Sequence, residues 1–182
     1  LMSLASVQRR RPLLAADYRG QVFLAGSPQA SQELFSYDMP VSAELAALTD
    51  MFVGPGLNIV QGVALRRDEF RDSRFTSSSL IHLAIPGTLD LAYPAQSRLQ
   101  MSSAGSEAAS QDLAPADINT LELEASLVVL SQTGTVSGGR SGFDFRLGFV
   151  SDILEAGAAN VLASLWPTAD CESAVFVREF YR

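Results

Sequence analysis

Five short apolar runs, separated by helix-patterned sequence and closed by turn formers, constrain this chain more than anything else in it. They are Gln21–Ala25, Leu57–Val60, Leu80–Ile85, Leu127–Leu130 and Val161–Leu165, all of strand length. Gly26-Ser27-Pro28 closes the first and Pro86-Gly87 closes the third. Between the first two, Ser42 is placed to cap a helix carrying Leu45, Leu48 and Phe52, which Gly54-Pro55-Gly56 stops. An exposed helical turn is expected from Arg66 to Arg74, and a short helix around Asp117, Ile118 and Leu121. Phe143, Leu147, Val150 and Leu154 recur at i, i+4, i+7 and i+11, predicting an amphipathic helix that ends at Gly157. Asp170 is placed to cap a last helix through Val175 and Phe180.

Strands joined by helices rather than by hairpin turns predict an α/β fold with a mostly parallel sheet and right-handed crossovers. The runs at Leu80–Ile85, Leu127–Leu130 and Val161–Leu165 should be neighbours in it. Two stretches read differently. Thr88–Ala114 shifts to Ser, Ala, Gln and Gly, with its low-complexity centre at 95–112, and reads as a surface loop or a small hairpin. Ser131–Gly142 reads as a Gly/Thr/Ser loop.

A length of 182 residues with 47% apolar and 18% charged positions suits one packed domain. No apolar run approaches the roughly 20 residues of a membrane-spanning helix, so no membrane partner is expected. The net charge is −7, which disfavours nucleic acid as a partner. All 13 cations are Arg and there is no Lys, so a Walker-type phosphate loop, a Schiff base and a Ser-Lys dyad are excluded. The single cysteine, Cys171, and the single histidine, His82, cannot make an internal disulfide or a zinc site alone. No metal or other cofactor is therefore expected, and a reducing, cytoplasmic setting fits. Residues 1–17, with Arg9-Arg10-Arg11, read as a solvated tail or linker, and 18–182 as the domain. Phe180-Tyr181-Arg182 falls inside a helical pattern, so the domain is expected to be cut short at its C-terminus and to be part of a longer protein.

In open parallel sheets the chemistry sits beyond the carboxyl ends of the strands, which singles out the loops after Ile85, Leu130 and Leu165. The second, Thr133 to Arg140, is rich in glycine and could hold an anion, but it lacks the spacing of any phosphate motif and reads as a pocket rim. These loops also carry a resemblance. Leu80-Ile81-His82-Leu83-Ala84-Ile85-Pro86-Gly87 resembles the "IVHFATHG" strand of the CHAT family of caspase-like cysteine peptidases, relatives of caspases and separase. Leu127-Val128-Val129-Leu130-Ser131 is similar to that family's "LVVLSAC". Ala156 to Pro167 with Asp170, followed by Phe180-Tyr181, resembles its "AGA-x-x-V-x-x-SLWPV-x-D" and the "FY" beyond. The resemblance spans roughly Gly20 to Arg182 and implies a caspase-like three-layer sandwich, with helices on both faces of a mostly parallel sheet.

The departures from the family pattern bear on function. The family dyad is the His just before the Gly of "HFATHG" and the Cys two residues after the Ser of "LSAC". Ungapped, these positions are Pro86 and Thr133; a gapped reading sets Ser131-Gln132-Thr133-Gly134 on the second motif, and neither supplies a thiol. Proline has no proton to take or give, so the base is absent, and Thr133 could act as a nucleophile only with one in reach. Cys171 at a helix N-terminus could have a lowered thiol pKa, but nothing in the sequence sets His82 beside it. His82 matches the family's in-strand His and reads as a hydrogen-bonded structural residue.

What the resemblance leaves is a cleft formed by Gly87, Ser131, Gln132, Gly134, Trp166 and Asp170. Trp166 either fills the sheet edge or flanks the peptide cleft, and Asp170 either caps its helix or anchors a basic side chain. The expectation is a noncatalytic pseudopeptidase domain that binds protein or peptide and regulates a larger protein. Family members commonly follow tetratricopeptide repeats, so repeat segments of the same chain are one candidate partner. The competing readings are a residual cysteine-peptidase-like hydrolase with an unrecognised nucleophile, and a ligand-binding domain using the glycine-rich loop.

Overall fold

The computed structural model describes residues 20–26, 41–52, 57–61, 67–85, 87–90, 93–100, 112–131, 133–136, 148–163 and 170–182. In chain order the elements are β1 (Val22–Gly26), α1 (Val41–Met51), β2 (Leu57–Gln61), a 3-10 turn (Arg67–Arg71), α2 (Ser73–Thr76), β3 (Leu80–Ala84), β4 (Gly87–Asp90) and β5 (Arg98–Leu99). There follow α3 (Pro115–Ile118), β6 (Leu127–Leu130), β7 (Thr133–Val136), α4 (Gly148–Glu155), β8 (Val161–Ala163) and α5 (Asp170–Phe180). The main sheet has the order β2-β1-β3-β6-β8, and every pairing in it is parallel. β3, β6 and β8 are adjacent, as the sequence predicts.

Because side chains alternate across a strand, each apolar run feeds two cores. Phe23, Ala25, Ile81, Leu83, Val128 and Leu130 point to one face and pack with Phe70 and Phe75, with Ile118 of α3 and with Phe149 and Ile153 of α4. Val22, Leu24, Leu80, Ala84, Leu127 and Val129 point to the other and pack under Leu45 and Leu48 of α1 and Val177 of α5. The result is a three-layer α/β sandwich with helices on both faces.

The 27–40, 101–111 and 137–147 stretches lie outside the described residues, as do residues 1–19 and 164–169. The expected roles of Phe143 and Leu147 therefore fall outside them. Where elements are described, four expectations change. α1 begins at Val41, which puts Ser42 inside its first turn rather than at its cap. The Arg66–Arg74 turn is exposed at Arg71 and Arg74, but its Phe70 and neighbouring Phe75 enter the core, because each aromatic ring there has a large apolar area to bury. α4 buries Phe149, Ile153 and Ala156 and leaves Leu154 exposed, so its inward stripe is one residue out from the spacing read in the sequence. Finally, part of the expected Ser131–Gly142 loop is strand β7. The Thr88–Ala114 segment takes its hairpin alternative at the start, where β4 pairs antiparallel with β5.

Gly157 does terminate α4. It has φ +117°, and a Cβ there would stand 2.5 Å from the Leu123 carbonyl oxygen, so only glycine fits the turn.

Candidate functional site

β3 and β6 lie side by side and their continuations leave the main sheet together. After Ala84 the chain passes through the buried Ile85 and enters β4 at Gly87. After Leu130, the backbone N–H of the buried Ser131 donates to the Leu83 carbonyl at 3.1 Å, and β7 starts at Thr133. β4 and β7 pair in parallel, with Gly87 opposite Thr133 and Thr88 opposite Gly134. A second sheet, ordered β5-β4-β7, thus extends from the carboxyl ends of β3 and β6, where an open α/β sheet places its ligands. Gly87 is crowded by β5: a Cβ there would lie 2.6 Å from the Arg98 carbonyl oxygen and 2.7 Å from Leu99 Cδ2. The close approach of β5 is the physical reason for glycine at this position.

The structure therefore brings Gly87, Thr133 and Gly134 together through backbone pairing, with Ser131 one step upstream. Pro86, Gln132 and Trp166 lie outside the described residues. Asp170 is the first residue of α5 and Cys171 the second; their side chains, like that of Thr133, are also outside the described set.

His82 is elsewhere. Its neighbours in register are Leu24 on β1 and Val129 on β6, so its ring points into the core beneath α1 and α5, two residues before β3 ends. It is 0% exposed. Its Nε2 is 2.9 Å from Glu44 Oε1 on α1, and its Nδ1 is 3.2 Å from the hydroxyl of Tyr181, which follows α5. Glu44 is itself only 2% exposed. An ionisable group in an apolar core is costly unless paired, and here both ring nitrogens are occupied, so the imidazole is held on the covered face of the sheet rather than offered to a substrate. Tyr181 also packs edge-on against His82 and Phe52, with ring centroids 5.9 and 5.3 Å away. Cys171 precedes Tyr181 by ten residues, about 15 Å of helical rise, so the only thiol of the chain starts α5 far from the end that meets His82.

Glu44 and Tyr181 were not singled out from the sequence. Glu44 had a signal: it stands four residues before Leu48, on the apolar stripe of α1, where an unpaired carboxylate would be out of place. Tyr181 had its i+4 spacing from Val177 and its place in the Phe180-Tyr181 match to the family's "FY", neither of which assigned it a partner.

Charged groups elsewhere are structural. Arg74, through side-chain and backbone hydrogen bonds, holds the exposed Asp72 carboxyl below its usual range. On α4, burial pushes Asp152 up, the nearby Glu155 charge adds to this, and a hydrogen bond from Asn119 opposes it. Asp117 accepts from the Ala114 N–H at 2.9 Å at the start of α3 and pairs with Arg67. Among the described residues, no three His, Cys, Asp or Glu side chains are grouped to hold a metal ion. No described helix is long and apolar enough to cross a membrane.

The family model described as CHAT domain matches residues 2–182. No curated protein matches the chain. Among solved structures, the chain is similar to a flavodoxin of Streptococcus pneumonia TIGR4, at 13% identity and a TM-score of 0.42, with 88% of this chain and 93% of that chain covered.

Proposed function

Since the chain belongs to the CHAT domain family and so is a module related to caspase-like peptidases, we propose that it is a noncatalytic member, which binds an extended peptide or protein segment and regulates a larger cytoplasmic protein. The observation that carries this reading is the pairing of Gly87 with Thr133. It sets side by side the two chain segments that resemble those on which family members carry their base and nucleophile, and the sequence there reads Pro86-Gly87 and Ser131-Gln132-Thr133, with neither imidazole nor thiol. The one imidazole is committed to Glu44 and Tyr181 in the core. General acid–base chemistry needs a group that can exchange a proton with the substrate within hydrogen-bond reach, and a thiol nucleophile needs a base.

Recognition has weaker requirements than catalysis. Strand addition uses main-chain N–H and C=O groups, with one or two side-chain pockets for selectivity, and survives loss of a dyad. The net charge of −7 favours a basic segment, with Asp170 as the candidate anchor.

The test has two arms. The purified domain should not cleave peptide substrates ending in Arg or Lys, should not be labelled in the cleft by thiol-directed peptide inhibitors, and should be unaffected in both assays by Cys171→Ala. A turnover abolished by Cys171→Ala overturns the reading. In the second arm, Trp166 is the only tryptophan, so its emission isolates the one residue proposed to flank the cleft. Extended basic peptides should change it saturably, and Asp170→Asn should weaken that response beyond any change in thermal stability. A flat titration with basic, acidic and apolar peptides alike refutes peptide recognition at this site.

A further inference from the structure

The polar chain Glu44–His82–Tyr181 ties the end of the last helix to the middle of the sheet, and nothing in peptide recognition uses it. Apart from it, the described part of α5 buries little apolar surface. Of its described side chains, Val177 is buried, whereas Val175, Phe176, Arg178, Glu179 and Phe180 are exposed. Two of the exposed rings, Phe176 and Phe180, stack on each other 6.1 Å apart, and Phe180 also meets Tyr181 in a T-shaped contact at 5.2 Å. α4, by contrast, sinks both Phe149 and Ile153 completely. A helix with few buried apolar contacts belongs to the low-stability end of a fold and opens locally before the sheet does.

We infer that α5 is a separately releasable element and that the Tyr181 hydroxyl is the latch that keeps it docked. His82 is suited to this because its two ring nitrogens divide the work. With Nε2–H donating to the Glu44 carboxylate, Nδ1 is left as an acceptor facing the Tyr181 O–H. Glu44 holds the ring from α1 and the sheet holds it from below, so the acceptor is presented at a fixed point whether or not α5 is in place. Undocking exchanges the Tyr181 hydroxyl at Nδ1 for water, a modest net loss that penalises opening, and exposes part of the apolar strip of Leu80, Ala84, Leu127 and Val129 that α5 and α1 cover. A wholly apolar contact between Tyr181 and β3 would supply burial without this directional fit.

Hydrogen exchange on the intact chain, read by mass spectrometry, tests the latch. In the wild-type protein the α5 amides should exchange at least roughly tenfold faster than those of β3 and β6, in an opening of their own. Tyr181→Phe keeps the ring that packs against Phe52 and removes only the hydroxyl. It should speed α5 exchange about tenfold, the effect on an opening equilibrium of losing one buried hydrogen bond, with β3 and β6 unchanged. Phe176→Ser, on the exposed side of the same helix, should leave α5 within about twofold of wild type. The inference is overturned if α5 and β3 exchange together in the wild type, or if Tyr181→Phe changes helix and sheet by the same factor. It is equally overturned if Tyr181→Phe leaves both unchanged, or if Phe176→Ser loosens α5 as much as Tyr181→Phe does.

Discussion

On one face of the central sheet, Phe75 meets Phe23 and Phe70 edge to face, with ring centroids 5.2 and 4.9 Å away. On the other, a carboxylate, an imidazole and a phenol stand in a hydrogen-bonded row under α1 and α5. Both are packed against the same three strands, so the difference isolates what each kind of core contributes. Aromatic packing supplies non-directional burial, which tolerates small shifts of the covering helices. The polar row gains little net energy over an apolar replacement, because its desolvation cost offsets its hydrogen bonds, but it accepts only one placement of α1 and α5.

The largest expected effect falls on the apolar face. Phe75→Ala should cost about 3–5 kcal/mol in denaturant unfolding, whereas Val177→Ala, which trims the one described α5 side chain that is buried, should cost about 2 kcal/mol. Equal losses would mean that the two faces are equally committed. The polar row makes a sharper contrast. Glu44→Leu or His82→Leu alone strands a buried partner and should cost roughly 3 kcal/mol or more, yet the double variant should recover much of that loss. Strict additivity would show that the pair is not coupled. Smaller again is Gly157→Ala, which forces a Cβ onto the Leu123 carbonyl at positive φ; about 1–3 kcal/mol of destabilisation is expected from the unfolding midpoint, and a neutral result would refute the tight turn.

The smallest effect is electrostatic. Folding raises the pKa of Asp152, chiefly by burial, so the folded state favours its protonated form. Its contribution is therefore fully present at pH values below the unfolded carboxyl range and is lost as pH rises through the folded pKa. Asp152→Asn should be stabilising at pH 7, by no more than about 0.5 kcal/mol, and the gain should vanish below about pH 4. A gain that grows in acid would contradict the assignment.

The parallel strands were legible because Leu127–Leu130 is wholly apolar and Leu80–Ile85 is apolar but for His82, each with turn formers after it, a signal carried by adjacent residues. The face of α4 was not, since Phe149 and Val150, and again Ile153 and Leu154, offer two apolar stripes one residue apart; only the sheet decides which turns inward. β7 was hidden for a related reason. Thr133–Val136 is short and glycine-containing, and it becomes a strand only because β4 presents an edge to it. The positions of Pro86 and Thr133 were read from motif resemblance, and the pairing that sets their segments together is a tertiary fact. The buried row was least legible of all, since its members lie 38 and 99 residues apart along the chain.

That last separation has a cost during synthesis. His82 and Glu44 leave the ribosome long before Tyr181, and at about 5–20 residues per second the 99 residues between His82 and Tyr181 take roughly 5–20 s to make. Once β6 has also been made, for roughly the second half of that interval, the sheet face beneath α5 carries an apolar strip and a half-partnered imidazole with no lid. The nascent chain must either delay assembling β3 with β6, or pass those seconds with a sticky surface in reach of chaperones.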